Sequence, residues 1–154
     1  MPHKYIRPMD LSPEDRSRLQ RNGRAGGLTR ASRMAAPARR AVARRAGTAR
    51  WIRTRFGAAR FGELALPGGE MIDAGLADLA SGKSTAESLA VSLAAARLRR
   101  EGVPLGAIES DAEDRLYDLL CANGAGLAHA RYGAYLRQLA SFADACPIAR
   151  VDRK

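Results

Sequence analysis

Aromatic residues are scarce in this chain, at 5% of 154 positions, and cysteine occurs only twice. A core short of aromatic rings has to be assembled from many small and aliphatic side chains. Alanine is abundant, and alanine is the best helix former and a poor strand former. The composition therefore points to an all-α fold. Two cysteines, Cys121 and Cys146, cannot build a disulfide framework. Each is placed at the end of its own helix in an antiparallel pair, which puts the thiols roughly 30 Å apart, far beyond the ~7 Å limit for a bridge. Both are read as small core residues. No apolar run approaches the ~20 residues a membrane span needs. Met1–Asp10 has no apolar core of the kind a secretory signal carries, so a cytoplasmic, reducing location is expected and no membrane partner is.

Acid is the other scarcity, and it is local. Residues 1–60 hold 16 Lys and Arg against three acids, Asp10, Glu14 and Asp15. The remainder holds 10 against 13. The net charge of +10 thus resides wholly in the first part. A genome rich in Arg codons would raise arginine throughout, whereas the first 60 residues carry fifteen and the rest eight. A basic arm on an ordinary globular body fits better. The division expected is a basic helical region over 1–60, a compact four-helix region over 61–147 and a tail over 148–154.

Gly26–Trp51 is the centre of that charge. It contains Arg30, Arg33, Arg39, Arg40, Arg44, Arg45 and Arg50 and no acid. Ser12 is the expected N-cap of a first helix, with Pro13 at its first position and Glu14 and Asp15 in its first turn; Gly23 is its expected stop. Gly26–Gly27 is expected to be a joint, followed by a short helix over Leu28–Met34. The next helix runs from about Pro37 to about Arg55. On a 100° wheel Ala38, Ala41, Val42, Ala46, Ala49, Ile52 and Phe56 share an arc, with Arg39, Arg40, Arg44, Arg50 and Arg55 opposite. Trp51 falls among the arginines. Arg45 falls in the apolar arc, where it must snorkel or meet a carboxylate. Leu11, Arg16, Leu19 and Arg21 echo Met34, Arg39, Val42 and Arg44 at a fixed offset, as a basic helical hairpin would.

Beyond the arm, Phe61–Gly69 is expected as a loop with one short strand over Glu63–Leu66. Helices follow over Met71–Ala80, with Gly82 as its stop, then from Ser84 to Arg100 behind a Ser84/Glu87 capping box. A third runs from a Ser110/Glu113 capping box to Cys121, and the last over Leu127–Cys146. Ala128, Tyr132, Tyr135, Leu139, Phe142 and Cys146 step by fours and threes along it, a seam suited to a partner helix.

Planar, permanently charged guanidinium groups at helical spacing suit phosphate oxygens. Nucleic-acid contacts are assigned to Arg39, Arg40, Arg44, Arg50 and Arg55, with Arg24, Arg30 and Arg33 assisting and Trp51 available to stack on a base. DNA is favoured over RNA. His129, Arg131, Tyr132, Tyr135, Leu139 and Phe142 are assigned to a protein partner or a second copy of the chain. Asp111, Glu113, Asp114 and Asp118 line one helix and are able to neutralise the arm in the absence of a ligand. Gly82–Thr85 has the end of a phosphate-binding loop, yet Ala77 stands where that motif needs glycine. No Cys, His, Asp and Glu spacing makes a metal site, and no catalytic residue or cofactor is assigned. Two rivals stand beside the binding reading. One is a module whose arm wraps an acidic protein without touching nucleic acid. The other is a small enzyme centred on His129, Arg131 and Tyr132.

Gly26–Gly27, Arg30–Ala31, Met34, Pro37, Val42–Ala43–Arg44 and Ala49–Arg50–Trp51 resemble a segment of small basic proteins of bacteria and their mobile elements. Ala38 and Arg39 stand where that segment is acidic. Arg115–Leu116–Tyr117 and Ala128–Tyr132 resemble bacterial proteins encoded beside nucleotidyltransferase-type toxins. The resemblance implies an antitoxin or operon-regulator role.

Overall fold

The computed structural model describes residues 12–150, and among them every regular element is helical. The helices are α1 (Pro13–Arg33), α2 (Ala36–Phe56), α3 (Gly69–Ser81), α4 (Ala86–Leu93), α5 (Ala95–Arg100), α6 (Ala112–Ala122) and α7 (Ala125–Ala145), with one 3-10 turn at Phe61–Leu64. The chain divides into two compact units between Arg39 and Arg40.

In the first unit, Ser12 caps α1 as its sequence suggests. Its Oγ accepts the Asp15 N–H at 3.0 Å and donates to the Asp15 carboxylate at 2.8 Å. The helix does not stop at Gly23, and Gly26–Gly27 is not a joint; α1 passes through all three glycines. Glycine lowers helix propensity by about 1 kcal/mol yet keeps its N–H, so it weakens a helix without ending one. The interruption comes at Met34–Ala35, just ahead of Pro37. Proline restricts the residue before it and lacks the N–H that a continuing helix needs.

In the second unit the body begins inside α2 rather than near residue 60. Ile52 and Phe56 are buried with the core of the later helices. Only the second half of α2 uses its apolar arc. Val42 and Ala46 are exposed, because nothing in the unit covers them; Ala38, in the first unit, is exposed as well. Edge-to-face rings run through the core, with centroids 5.4 Å apart for Phe56–Phe61 and 4.9 Å for Phe61–Phe142. Ile72, Leu76 and Leu79 of α3, Leu89 and Val91 of α4, Leu116 and Leu120 of α6, and Leu139 and Phe142 of α7 complete it. Gly75 lets α3 lie against α4: a Cβ there would stand 2.5 Å from a Val91 methyl.

Several local expectations need correction. Phe61–Leu64 is a 3-10 turn, not a strand, because the Asp73 carboxylate takes the N–H groups of Phe61 and Gly62 at 3.1 and 2.8 Å. Gly82 does end α3, at φ 70°. The next cap is Thr85 with Ser88, not Ser84 with Glu87: Thr85 Oγ1 accepts the Ser88 N–H and Ser88 Oγ accepts the Thr85 N–H. The Ser84 hydroxyl is instead engaged by Arg115 and Glu109. The helix expected to reach Arg100 breaks at Ala94, whose ψ of 4° lies outside the helical range. Ser110 does not cap α6; the flanking residue is Asp111, without a side-chain cap bond, and Glu113 accepts the Tyr132 hydroxyl. The expected tail is tied down as far as Arg150, which donates to the Glu101 carbonyl at 2.8 Å and its carboxylate at 2.6 Å. Both cysteine thiols are free, and burial pushes that of Cys146 upward.

Candidate nucleic-acid interface

The sequence between Asp15 and Glu63 contains no acid, and α2 lies wholly within it. The helix orients itself by burying Ile52 and Phe56 and half-burying Thr48 and Ala49. At about 100° per residue, Arg40, Arg44 and Arg55 then project from one flank and Arg50 and Arg53 from the other. All five are exposed, and none forms an ion pair among the described residues. Arg40 to Arg55 span about 22 Å of helix, more than the ~12 Å width of the B-DNA major groove. Arg39 lies on the same helix at the edge of the first unit. Arg24, Arg30 and Arg33 belong to α1 and are likewise exposed. Arg53 was missed by the sequence reading, although the wheel that found Arg50 places it on the same side.

Two residues of this stretch serve the fold. Arg45 donates to the Ala77 carbonyl at 3.2 Å and to the Ser81 hydroxyl. Of the two outcomes expected, snorkelling or a carboxylate, no carboxylate is met among the described residues: Arg45 stays exposed and bonds the negative end of α3. Trp51 is half-buried, its ring centroid 5.6 Å from that of Phe56 and 6.4 Å from that of Phe61. Core packing engages the ring that the sequence offered to a base.

The partner-binding set is dispersed. Phe142 is fully buried and Leu139 nearly so, which makes them core residues rather than a docking seam. The seam faces inward because α6 and α4 already cover it. Tyr135 donates to the Glu87 carboxylate at 3.1 Å; burial first, then the Glu87 charge, push its hydroxyl up to about 12. Tyr132 is raised for the same kind of reason, burial followed by its hydrogen bond to Glu113. Arg131 donates to the Asn123 carbonyl at 3.0 Å. His129 is exposed. Of the three residues of the enzyme reading, Arg131 and Tyr132 thus bond to different neighbours. Of the acids on and just before α6, Asp111 lies 3.6 Å from Arg115 and Glu113 accepts from Tyr132, while Asp114 and Asp118 are exposed.

An open groove of about 670 Å³ runs beside α7, lined by Met71, Glu87, Leu119, Arg131 and Tyr135 among others. It holds carboxylate and guanidinium groups, and the Tyr135 hydroxyl bonded to Glu87. Among the described residues there is no group of three potential metal ligands, and no helix is long and apolar enough to cross a membrane. Comparison with protein-family models, curated proteins and solved structures gives no match.

Proposed function

We propose that this chain is a non-enzymatic nucleic-acid-binding protein that grips the phosphate backbone through α2. The observation that carries the reading is the set Arg40, Arg44, Arg50, Arg53 and Arg55: five exposed guanidinium groups on one helix, with no carboxylate paired to any of them among the described residues. Like charges at such spacing repel one another, and a helix that keeps them forgoes the stabilisation that i,i+4 Glu–Arg pairs give. Phosphate neutralisation removes that repulsion and releases counterions. The body then serves as the scaffold that fixes the helix, with Arg45 and Trp51 as its anchors. A regulatory, antitoxin-like role follows from the resemblance of the sequence and rests on it alone.

The test is binding of the full chain to a mixed-sequence duplex, compared with the Arg40→Ala, Arg44→Ala, Arg50→Ala triple variant. The variant is expected to keep the wild-type melting temperature and to lose affinity at least tenfold. Equal affinity of the two proteins, or no binding by wild type at low salt, would overturn the reading and redirect attention to an acidic protein partner.

A further inference from the structure

The first unit offers a different kind of surface from α2. Six arginines lie on α1: Arg16, Arg18, Arg21, Arg24, Arg30 and Arg33. At about 100° per residue they are not gathered on one face; they are spread around the whole axis, successive ones roughly 60° apart. Beyond the first turn there is no acid on the helix; Arg18 pairs with Asp15 at 3.0 Å and Arg16 is also engaged, which leaves Arg21, Arg24, Arg30 and Arg33 to carry the argument. The hydroxyls of Ser17, Thr29 and Ser32 turn back onto carbonyls of the helix itself. Leu19 and Leu28, 53% and 66% exposed, project about 180° apart.

Each feature excludes a class of partner. A helix that docks on a protein or lies on a membrane needs an apolar stripe, and two leucines on opposite sides make none. A helix laid along one side of a duplex needs charge on one side only. In the major groove of B-DNA, ~12 Å wide and ~8.5 Å deep, a helix of 10–12 Å diameter keeps its outer side in solvent, where arginines would be idle. Charge on every side calls for phosphates on every side. The major groove of A-form RNA is deep, and its narrow mouth opens where a bulge or internal loop interrupts the pairing.

We infer that α1 is a groove-filling helix, taken up by the deep major groove of a structured RNA at a bulge or internal loop, with phosphates contacted all around its axis. The inference rests on the nucleic-acid reading and narrows it, naming the RNA class that the first unit selects while α2 supplies general backbone affinity. Gly23, Gly26 and Gly27 leave α1 with little intrinsic helix stability, and no neighbour lies within 4 Å of where their Cβ atoms would be. The enclosing phosphates then stabilise the helix as they bind it.

The test is fluorescence anisotropy of the full chain at one fixed salt concentration with three probes: an RNA hairpin carrying a three-nucleotide bulge, the same hairpin without the bulge, and its DNA counterpart. Arg21→Ala, Arg24→Ala, Arg30→Ala and Arg33→Ala are compared singly; alanine favours helix, so none of them removes α1. The expected result is tightest binding to the bulged RNA, with each variant losing roughly three- to tenfold whatever its direction, as loss of one guanidinium–phosphate contact implies. Losses confined to one side of α1, or equal affinity for the three probes, would overturn the inference and leave the α2 reading standing. No binding to any probe would overturn both.

Discussion

Gly75→Ala probes the packing that holds the body together. Gly75 is buried in the middle of α3, facing α4. A Cβ at this position would come 2.5 Å from Val91 Cγ2 and 2.9 Å from the Glu87 carbonyl carbon. Val91 is fully buried and cannot swing aside, and the Glu87 contact is backbone. The two helices must therefore part by about 1 Å, and interiors packed at crystal density pass such a shift to every neighbour. Alanine recovers about 1 kcal/mol of helix propensity. Overpacking costs roughly 1–3 kcal/mol, and more where backbone must move. With the backbone involved the upper end applies, so the expected net is a loss of about 2 kcal/mol, or roughly 5–12 °C in melting temperature for a domain of this size. Urea and thermal denaturation followed by circular dichroism measure it. Gly23→Ala is the control, since no atom lies within 4 Å of its Cβ and α1 should gain helicity. A Gly75→Ala protein as stable as wild type would refute the close α3–α4 contact.

Thr85→Ala should cost about 1–2 kcal/mol because it removes both the N-cap and the bond to Asp78, whereas Ser84→Ala should cost clearly less; chemical denaturation separates them. Tyr135 carries a hydroxyl raised to about 12, so the folded state holds that proton more tightly than the unfolded chain, whose value is 10.0. Its contribution is complete below pH 10 and fades as pH rises towards 12; a stability–pH profile of Tyr135→Phe should lack that decline. Arg45→Ala should lower the melting temperature with little effect on nucleic-acid binding, and Arg53→Ala should do the reverse, since only Arg45 is bonded to α3.

How legible these features were depends on which forces act locally. Helix cores and the Gly82 stop follow from periodicity and from the ease with which glycine adopts positive φ, both properties of short stretches. The cap of α4 was misplaced by one residue because Ser84, Thr85 and Ser88 all have hydroxyls, and the choice is made at long range by Arg115 and Glu109. The 3-10 turn depends on Asp73, eleven or twelve residues away from the N–H groups it holds. The arginine face of α2 was readable because charge repels burial whatever the fold. Trp51 was not, since its wheel position lies among the arginines and only Phe56 and Phe61 decide which way the ring packs. The seam of α7 has the pattern of a partner interface and of a core face alike; the covering by α4 and α6 distinguishes them.

The central claim, phosphate gripping by unpaired arginines, is tested most directly by the salt dependence of duplex binding. If each of the five α2 guanidinium groups neutralises one phosphate, log K falls with log salt at a slope of about −4.5, and contacts from α1 steepen it further. A slope of that size or steeper is the expected result. Binding whose strength barely changes with salt would contradict the account, because an interface made of guanidinium–phosphate contacts has no means of being indifferent to counterions.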